Sequence, residues 1–385
     1  MHIITTTAAL ADFCARAMTA PYVTVDTEFL RERTYYAKLC LLQMALPGTD
    51  DDTAVIVDPL ADGIDLTPVY DLFQHPGTVK VFHAARQDLE IFCVERGIIP
   101  APLFDTQVAA MVCGFGEQAG YETLVRKIAK AEVDKSSRFT DWSRRPLSDA
   151  QLVYALADVT HLRVVYESLS ARLKKTGRGA WVAEEMAILN DPATYRTDPA
   201  TAWEKVKTRT ASPKFLGIVR ELARFREEYA IARDVPRSRV FKDDALVEVA
   251  GLKPLNEADL QKARLLLREG RKADVMEGIL AAVKRALALR PEDLPRPDPR
   301  AQEVQVNPAL ADLLRVLLKA RSEAQDVAPR LIASAADLDA LAAGDRDVPA
   351  LTGWRYEAFG EEAMLLCDGK VALTAKGQTV ITVRL

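Results

Sequence analysis

The sequence predicts an α/β domain with a mixed central sheet, followed by two smaller, mainly helical domains. In the first part of the chain, short β-branched and apolar runs alternate with helical patterns, which is typical of α/β domains. The later patterns are almost all helical, and a proline-rich linker at residues 291–299 divides them. The expected bounds are 1–195 for the α/β domain and 205–292 and 300–385 for the helical domains.

Four runs are expected to form strands. Residues 23–29 are rich in β-branched side chains and alternate with period two. Residues 37–44 and 54–57 are apolar runs bounded by turn residues, and 78–83 give a fourth strand. The first three are expected to be neighbours in an antiparallel meander.

Helical patterns follow the strands. In the α/β domain they cover residues 65–73, 88–94, 106–113, 121–131 and 148–177, and the last begins with a capping box formed by Ser148 and Gln151. Further helices are expected at 213–232, 245–249, 257–267, 272–289, 308–324 and 336–343. Residues 371–382 alternate like a hairpin that turns at Lys376 and Gly377.

Composition narrows the class of protein. Hydrophobic residues make up 49% of the chain and charged residues 28%, which is ordinary for a soluble globular protein. No apolar run approaches the roughly 20 residues that span a bilayer, and no secretory signal is visible. The five cysteines show no pairing or ligand spacing, which predicts free thiols and a cytoplasmic location. No feature demands an oligomer, so a monomer is expected.

The charge distribution is uneven. The net charge is −4, yet residues 204–290 contain about 20 Lys and Arg against about 13 Asp and Glu. A basic segment of this kind is suited to binding phosphate groups, although it is also common in plain helical domains.

Two acidic residues on the first strand suggest a metal site. Asp26 and Glu28 occupy alternate positions and therefore point to the same side of the strand. Their like charges repel, and a hard divalent cation such as Mg²⁺ or Mn²⁺ would relieve the repulsion. Taken alone, the pair fits an exposed edge strand with solvated acids equally well.

Two further acidic residues are candidate ligands for the same metal site. Asp88 lies at the opening of a predicted helix, where N-terminal capping is the alternative interpretation. Asp158 lies within the helix that Ser148 caps, close to its apolar stripe, where burying an unpaired carboxylate costs several kcal/mol. An amphipathic helix with Asp158 facing water is the alternative interpretation. Tyr154 precedes Asp158 by one turn, so the phenol and the carboxylate share a face.

These residues lie in segments that resemble a known superfamily. Residues 25–29, 82–89 and 154–159 are similar to the three motifs of the DEDD 3′→5′ exonucleases. With Tyr154 four residues before Asp158, the third motif resembles that of the DEDDy subclass. Residues 31–36, 104–107 and 134–147 resemble the ribonuclease D family within it. Residues 209–289 resemble an HRDC domain, and residues 307–362 more weakly resemble a second one.

The resemblance implies a fold and an activity. The α/β domain would have a ribonuclease H-like fold and hold two divalent ions, Mg²⁺ or Mn²⁺, and Tyr154 would orient the attacking water. The metal ligands would be Asp26, Glu28, Asp88 and Asp158. The protein would be a 3′→5′ exoribonuclease that trims 3′ extensions of tRNA precursors and other small structured RNAs, releasing nucleoside 5′-monophosphates. The alternatives are a DNA 3′→5′ exonuclease and a non-catalytic RNA-binding protein.

Substrate contacts are expected from aromatic and basic residues near the motifs. Phe29 and Tyr35 could stack on terminal bases at about 1–3 kcal/mol each, or could pack in a core. The basic, aromatic loop at residues 132–147 could contact phosphates, frame the active site or be a plain surface loop. The full set of candidate substrate-binding residues is Phe29, Tyr35, His83, Lys135, Trp142 and Arg145. For His83, a structural role is the alternative.

Overall fold

The computed structural model describes residues 2–49, 53–134, 140–210, 212–295 and 306–385. These residues form two compact units. The first unit contains the described residues of 2–28, 39–194 and 306–385, and the second contains those of 29–38 and 195–295. The C-terminal segment therefore packs in the same unit as the α/β part of the chain.

Six strands of the described residues form one sheet in the order β1–β4–β3–β2–β5–β6. They are β1 (His2–Ile4), β2 (Tyr22–Leu30), β3 (Lys38–Ala45), β4 (Ala54–Val57), β5 (Val79–Phe82) and β6 (Leu103–Asp105). β4 is parallel to β1 and antiparallel to β3, while β5 is parallel to both β2 and β6. The predicted mixed sheet is confirmed, as is the neighbouring order of β2, β3 and β4. The edge strands β1 and β6 are too short to show an alternating pattern in the sequence.

Helices pack against this sheet. They are α1 (Thr7–Met18), α2 (Thr67–Gln74), α3 (Arg86–Arg96), α4 (Thr106–Val112), α5 (Tyr121–Leu124), α6 (Asp149–Thr176) and α7 (Gly179–Leu189). α5 continues as a π-helix over Val125–Ala129. The sequence patterns did not predict α1 or α7. The predicted capping box of α6 is confirmed, because the Gln151 amide donates to Ser148 Oγ at 3.3 Å and the Ser148 amide donates to Gln151 Oε1 at 3.0 Å.

The second unit is helical. Its helices are α8 (Pro213–Ala232), α9 (Arg237–Val240), α10 (Asp243–Leu252), α11 (Glu257–Leu260) and α12 (Ala273–Leu287). Tyr35, from the segment between β2 and β3, packs against their apolar core. Its hydroxyl donates to Glu227, and its amide donates to Asp234 Oδ1 at 3.0 Å. The segment 29–38 is therefore part of the helical unit's packing.

The C-terminal segment combines helices with a hairpin. It contains α13 (Pro308–Gln325), α14 (Pro329–Ile332), α15 (Ala335–Ala342), α16 (Gly353–Arg355) and α17 (Glu361–Cys367), and then β7 (Val371–Lys376) and β8 (Thr379–Arg384). The predicted hairpin is confirmed: β7 and β8 pair antiparallel, and Gly377 adopts a φ of 63° in the turn. The second HRDC-type domain stays a prediction.

The C-terminal segment is held to α7 by a buried polar cluster. The rings of Trp181 and Trp354 stack with centroids 4.7 Å apart. Glu185, only 7% exposed, accepts a hydrogen bond from Trp354 Nε1 at 2.8 Å and forms an ion pair with Arg355 at 2.7 Å. A carboxylate this buried is stabilised by these two donors, so the cluster depends on both partners.

Replacing Glu185 with Ala is expected to destabilise the fold by about 2–4 kcal/mol, because Arg355 and the Trp354 indole would lose their buried acceptor. Thermal unfolding should show a Tm lower by about 5–10 °C. Glu184→Ala is the matched control: this neighbouring side chain is 43% exposed and lies 3.7 Å from Arg355, so its loss should change Tm very little. Equal shifts for the two variants would contradict the assigned role of Glu185.

The five cysteines are reduced, and four of them are buried. Across the described ranges, no helix has the length and hydrophobicity needed to cross a membrane.

Candidate active site

Three of the four predicted metal ligands converge at one place. Asp26 and Glu28 lie on β2, and Asp158 lies on α6. One carboxylate oxygen from each lies within 4.8 Å of the other two. Each of the three residues keeps part of its surface exposed. The predicted pairing of an acidic strand with an acidic helix is therefore present in the fold.

Two hydroxyls hold the backbone of α6 at this point, that of Thr24 from β2 and that of Tyr121 from α5. Thr24 Oγ1 lies 2.8 Å from the carbonyl of Val159 and 3.2 Å from that of Ala45. Tyr121 Oη lies 2.8 Å from the carbonyl of Asp158 and 2.9 Å from that of Ala157. The backbone on both sides of the Asp158 side chain is thus fixed. Sequence reasoning did not identify either residue, although a polar side chain two positions before Asp26 on the same strand face was a usable signal for Thr24.

The fourth predicted ligand, Asp88, is buried, and its charge acts on the carboxylate of Asp26. It lies in the first turn of α3 and is 7% exposed, and its Oδ1 accepts a hydrogen bond from the Thr27 hydroxyl on β2. Burial raises the pKa of Asp88 to about 7, against the lowering effect of the Thr27 hydrogen bonds. The structure does not include Asp88 in the three-residue group, and its role as a ligand stays a prediction.

The acids destabilise one another in the absence of a cation. Burial raises the pKa of Asp26 well above its usual value. The neighbouring carboxylates of Asp158 and Asp88 raise it further, and Glu28 adds to the effect. The donor atoms are all carboxylate oxygens, which hard divalent cations prefer, so the residues present fit a site for Mg²⁺ or Mn²⁺.

Tyr154 faces the same cluster. Burial raises the pKa of its phenol, and the charges of Asp158, Glu28 and Asp26 raise it further. The hydroxyl, which hydrogen-bonds to the Asp158 carboxylate, therefore stays protonated near neutral pH. Tyr154 can orient a water or hold a hydrogen bond, but it is unsuited to act as a base.

His83 contacts other side chains of the protein. Its Nδ1 lies 2.9 Å from Thr106 Oγ1, and its ring lies beside that of Tyr121 with centroids 5.5 Å apart. Burial lowers its pKa, against the raising effect of Asp105. Asp105 also accepts from the amides of Ala84 and Ala85 at 3.0 and 2.9 Å, which fixes the turn into α3. These contacts give His83 a structural role, and its contact with substrate stays a prediction.

The other candidate substrate-binding residues have different surroundings. Phe29 is partly exposed on β2, and Tyr35 packs within the helical unit. Trp142 is 2% exposed and lies against the ring of Tyr154, with centroids 6.0 Å apart. Arg145 donates from each of its three nitrogens to protein acceptors. Lys135 lies outside the described residues. Contact of these side chains with RNA stays a prediction.

Two family models match separate parts of the chain. Residues 1–174 match a model described as a 3′-5′ exonuclease, and residues 215–283 match an HRDC domain model. Curated relatives match the whole length. Ribonuclease D from Jannaschia sp. (strain CCS1) is 60% identical over 98% of each chain. Ribonuclease D from Nitrobacter hamburgensis is 50% identical over 100% of this chain and 99% of the relative.

Solved structures show the same architecture. The crystal structure of Escherichia coli RNase D, an exoribonuclease involved in structured RNA processing, matches with a TM-score of 0.82 and 29% identity over 96% of this chain and 98% of that chain. The catalytic core of RRP6 from Trypanosoma brucei matches with a TM-score of 0.57 and 24% identity over 75% of this chain and 80% of that chain, which supports the fold alone.

The mixed sheet and the acids shared by β2 and α6 define a 3′→5′ exonuclease domain of the ribonuclease H-like class, followed here by an HRDC domain. Full-length relatives narrow the class further: the chain belongs to the ribonuclease D family. It is accordingly a 3′→5′ exoribonuclease, and the predicted activity and catalytic fold are confirmed.

Proposed function

We propose that this exoribonuclease trims 3′ extensions from tRNA precursors and other small structured RNAs, using two divalent cations and releasing nucleoside 5′-monophosphates. The observation that carries the proposal is the group of Asp26, Glu28 and Asp158 oxygens within 4.8 Å of one another, with the phenol of Tyr154 beside it. Processing of structured RNA by the Escherichia coli relative supports the choice of substrate. The monomeric state and the cytoplasmic location stay predictions.

Each residue of the site has a chemical task. Asp26, Glu28 and Asp158 would hold the cations through their carboxylate oxygens. Asp88, whose charge acts on Asp26, would complete the set. Divalent cations in such sites supply an activated hydroxide and neutralise charge on the leaving oxygen. The protonated hydroxyl of Tyr154 would hold the attacking water in line with the terminal phosphodiester. Thr24 ties the α6 backbone beside Asp158 to β2, and Tyr121 ties the same backbone to α5.

The test uses a tRNA with a 3′ extension, labelled at its 5′ end and incubated with the full chain. With Mg²⁺ or Mn²⁺ we expect a ladder that shortens from the 3′ end and stalls near the acceptor stem, and chromatography should identify nucleoside 5′-monophosphates. EDTA should abolish shortening, because the acids would lose the cations that they hold.

Two controls define what would contradict the proposal. A matched single-stranded DNA should be shortened more slowly, and a preference for DNA would favour the alternative DNA exonuclease activity. Shortening that persists in EDTA after extensive dialysis would exclude the metal-dependent mechanism.

A further inference from the structure

We propose that the ion pair between Asp58 and Arg145 is a positioning element for the reaction, which fixes the ring of Tyr154 by holding Trp142 against it. This proposal rests on the role of Tyr154 under the proposed function. It assigns Arg145 and Trp142 to the protein's own framework, where the sequence suggested contact with RNA.

The ion pair is anchored to the sheet. Asp58 directly follows β4, and its amide donates to the carbonyl of Ile4 on β1 at 2.9 Å. Its carboxylate accepts from Arg145 Nε and Nη2, both at 2.7 Å, in a two-pronged arrangement that only arginine can make. Burial raises the pKa of Asp58, but the hydrogen bonds from Arg145 and from the Leu60 amide hold it below its usual value. The carboxylate therefore stays charged and paired.

The remaining N–H donors of the Arg145 guanidinium hold the loop of residues 140–147, which carries Trp142. Arg145 Nη1 donates to the carbonyls of Trp142 and Arg144, each at 2.8 Å. Nη2 also donates to the carbonyl of Cys40 on β3 at 2.8 Å. One side chain thus connects the backbone of the loop to two strands of the sheet.

Trp142 transmits this constraint to the site. Its side chain is almost fully buried, and its ring lies 6.0 Å from that of Tyr154, centroid to centroid, with an angle of 31° between the planes. The indole Nε1 has no hydrogen-bond partner among the described residues. Packing and the Arg145 hydrogen bond to its carbonyl are therefore what hold Trp142 in place. Gln151 Nε2, on the first turn of α6, donates to Thr140 Oγ1 at 3.1 Å and ties the start of the loop to the same helix.

A small displacement of Tyr154 is sufficient to slow the reaction, because misplacing a reacting group by about 1 Å can cost about 10²-fold in rate. Arg145→Lys keeps the charge but cannot form the paired hydrogen bonds to Asp58. We expect it to lower kcat on a short oligoribonucleotide by about tenfold, with KM changed by less than about twofold. A phosphate-binding arginine would instead act mainly on KM.

The decisive measurement is a double-mutant cycle. Single-turnover rates with Mg²⁺ are compared for the full-length wild-type chain, Arg145→Lys, Tyr154→Phe and the double variant. If Arg145 acts through the Tyr154 hydroxyl, Arg145→Lys should lower the rate in the wild-type background and change it less than about twofold in the Tyr154→Phe background.

Asp58→Asn, which keeps the size of the side chain, should give the same pattern. It replaces Arg145→Lys in the cycle if that variant fails to fold. Arg144→Ala, in the same loop, is the control and should leave kcat unchanged, because its side chain is 83% exposed and pairs with the exposed Asp141 at 3.5 Å.

The outcomes separate the two proposals. Equal losses from Arg145→Lys in both backgrounds would overturn the positioning role while leaving that of Tyr154 intact. An effect confined to KM would also overturn it, in favour of a phosphate contact. A wild-type rate for Tyr154→Phe would overturn the proposed function of the phenol, and the positioning role with it.

Discussion

Asp158→Asn is expected to lower the rate of RNA hydrolysis by about 10³-fold or more. The substitution removes one of the three convergent carboxylates, and a bound cation in such a site supplies several kcal/mol of transition-state stabilisation. The fold should be retained, because asparagine has the same shape and the change removes a like charge from a repulsive cluster. Single-turnover hydrolysis of a labelled RNA measures the effect.

Thermal unfolding provides the accompanying measurement. A cation that binds only the folded chain raises Tm, so Mg²⁺ should stabilise the wild-type protein and stabilise Asp158→Asn less. Asp149→Asn is the matched control, since Asp149 is an exposed acid in the first turn of the same helix. It should keep both the activity and the Mg²⁺ response. Full activity in Asp158→Asn would refute the assignment of this residue to the metal site.

Tyr154→Phe is expected to lower kcat by about 10²-fold, because the ring would keep its packing against Trp142 while the hydroxyl that orients water is lost. The carboxylates are untouched, so the Mg²⁺-induced rise in Tm should remain. This combination distinguishes a residue that orients water from a metal ligand.

Tyr166→Phe serves as the control for this substitution. Tyr166 is on the same helix, and its ring packs against Tyr22 and Phe104 at centroid distances of 4.6 and 4.9 Å. Its replacement should change kcat by less than about twofold. Loss of the Mg²⁺ response in Tyr154→Phe would show instead that the phenol contributes to cation binding.

Local sequence patterns predicted the strand and the helix that carry the acids, and the resemblance to the exonuclease motifs supplied the proposed roles of those acids. The period-two alternation placed Asp26 and Glu28 on one side of β2, and the four-residue spacing placed Tyr154 and Asp158 on one face of α6. The capping box located the start of α6 because both of its hydrogen bonds lie within four consecutive residues. Each of these signals depends on neighbours in the chain.

The contacts that assemble the site were not predictable in this way. Thr24 meets the carbonyl of Val159 across 135 positions of sequence, and a threonine in a strand gives no indication of that partner. Arg145 in a polar loop is typical of a phosphate ligand, yet its carboxylate partner Asp58 lies 87 positions earlier. The short edge strands β1 and β6 are determined by the strands that they pair with rather than by their own composition.

The position of Tyr35 has a consequence for biosynthesis. Its hydroxyl donates to Glu227, which lies 192 positions later in the chain. At about 5–20 residues per second, roughly 10–40 s separate the synthesis of the two residues. During that interval the nascent segment 29–38 lacks its final packing partners, although β3 and β4, which follow it in the chain, are made early in the interval. A fragment that ends near residue 195 would leave Tyr35 without the helical core against which it packs in the full chain.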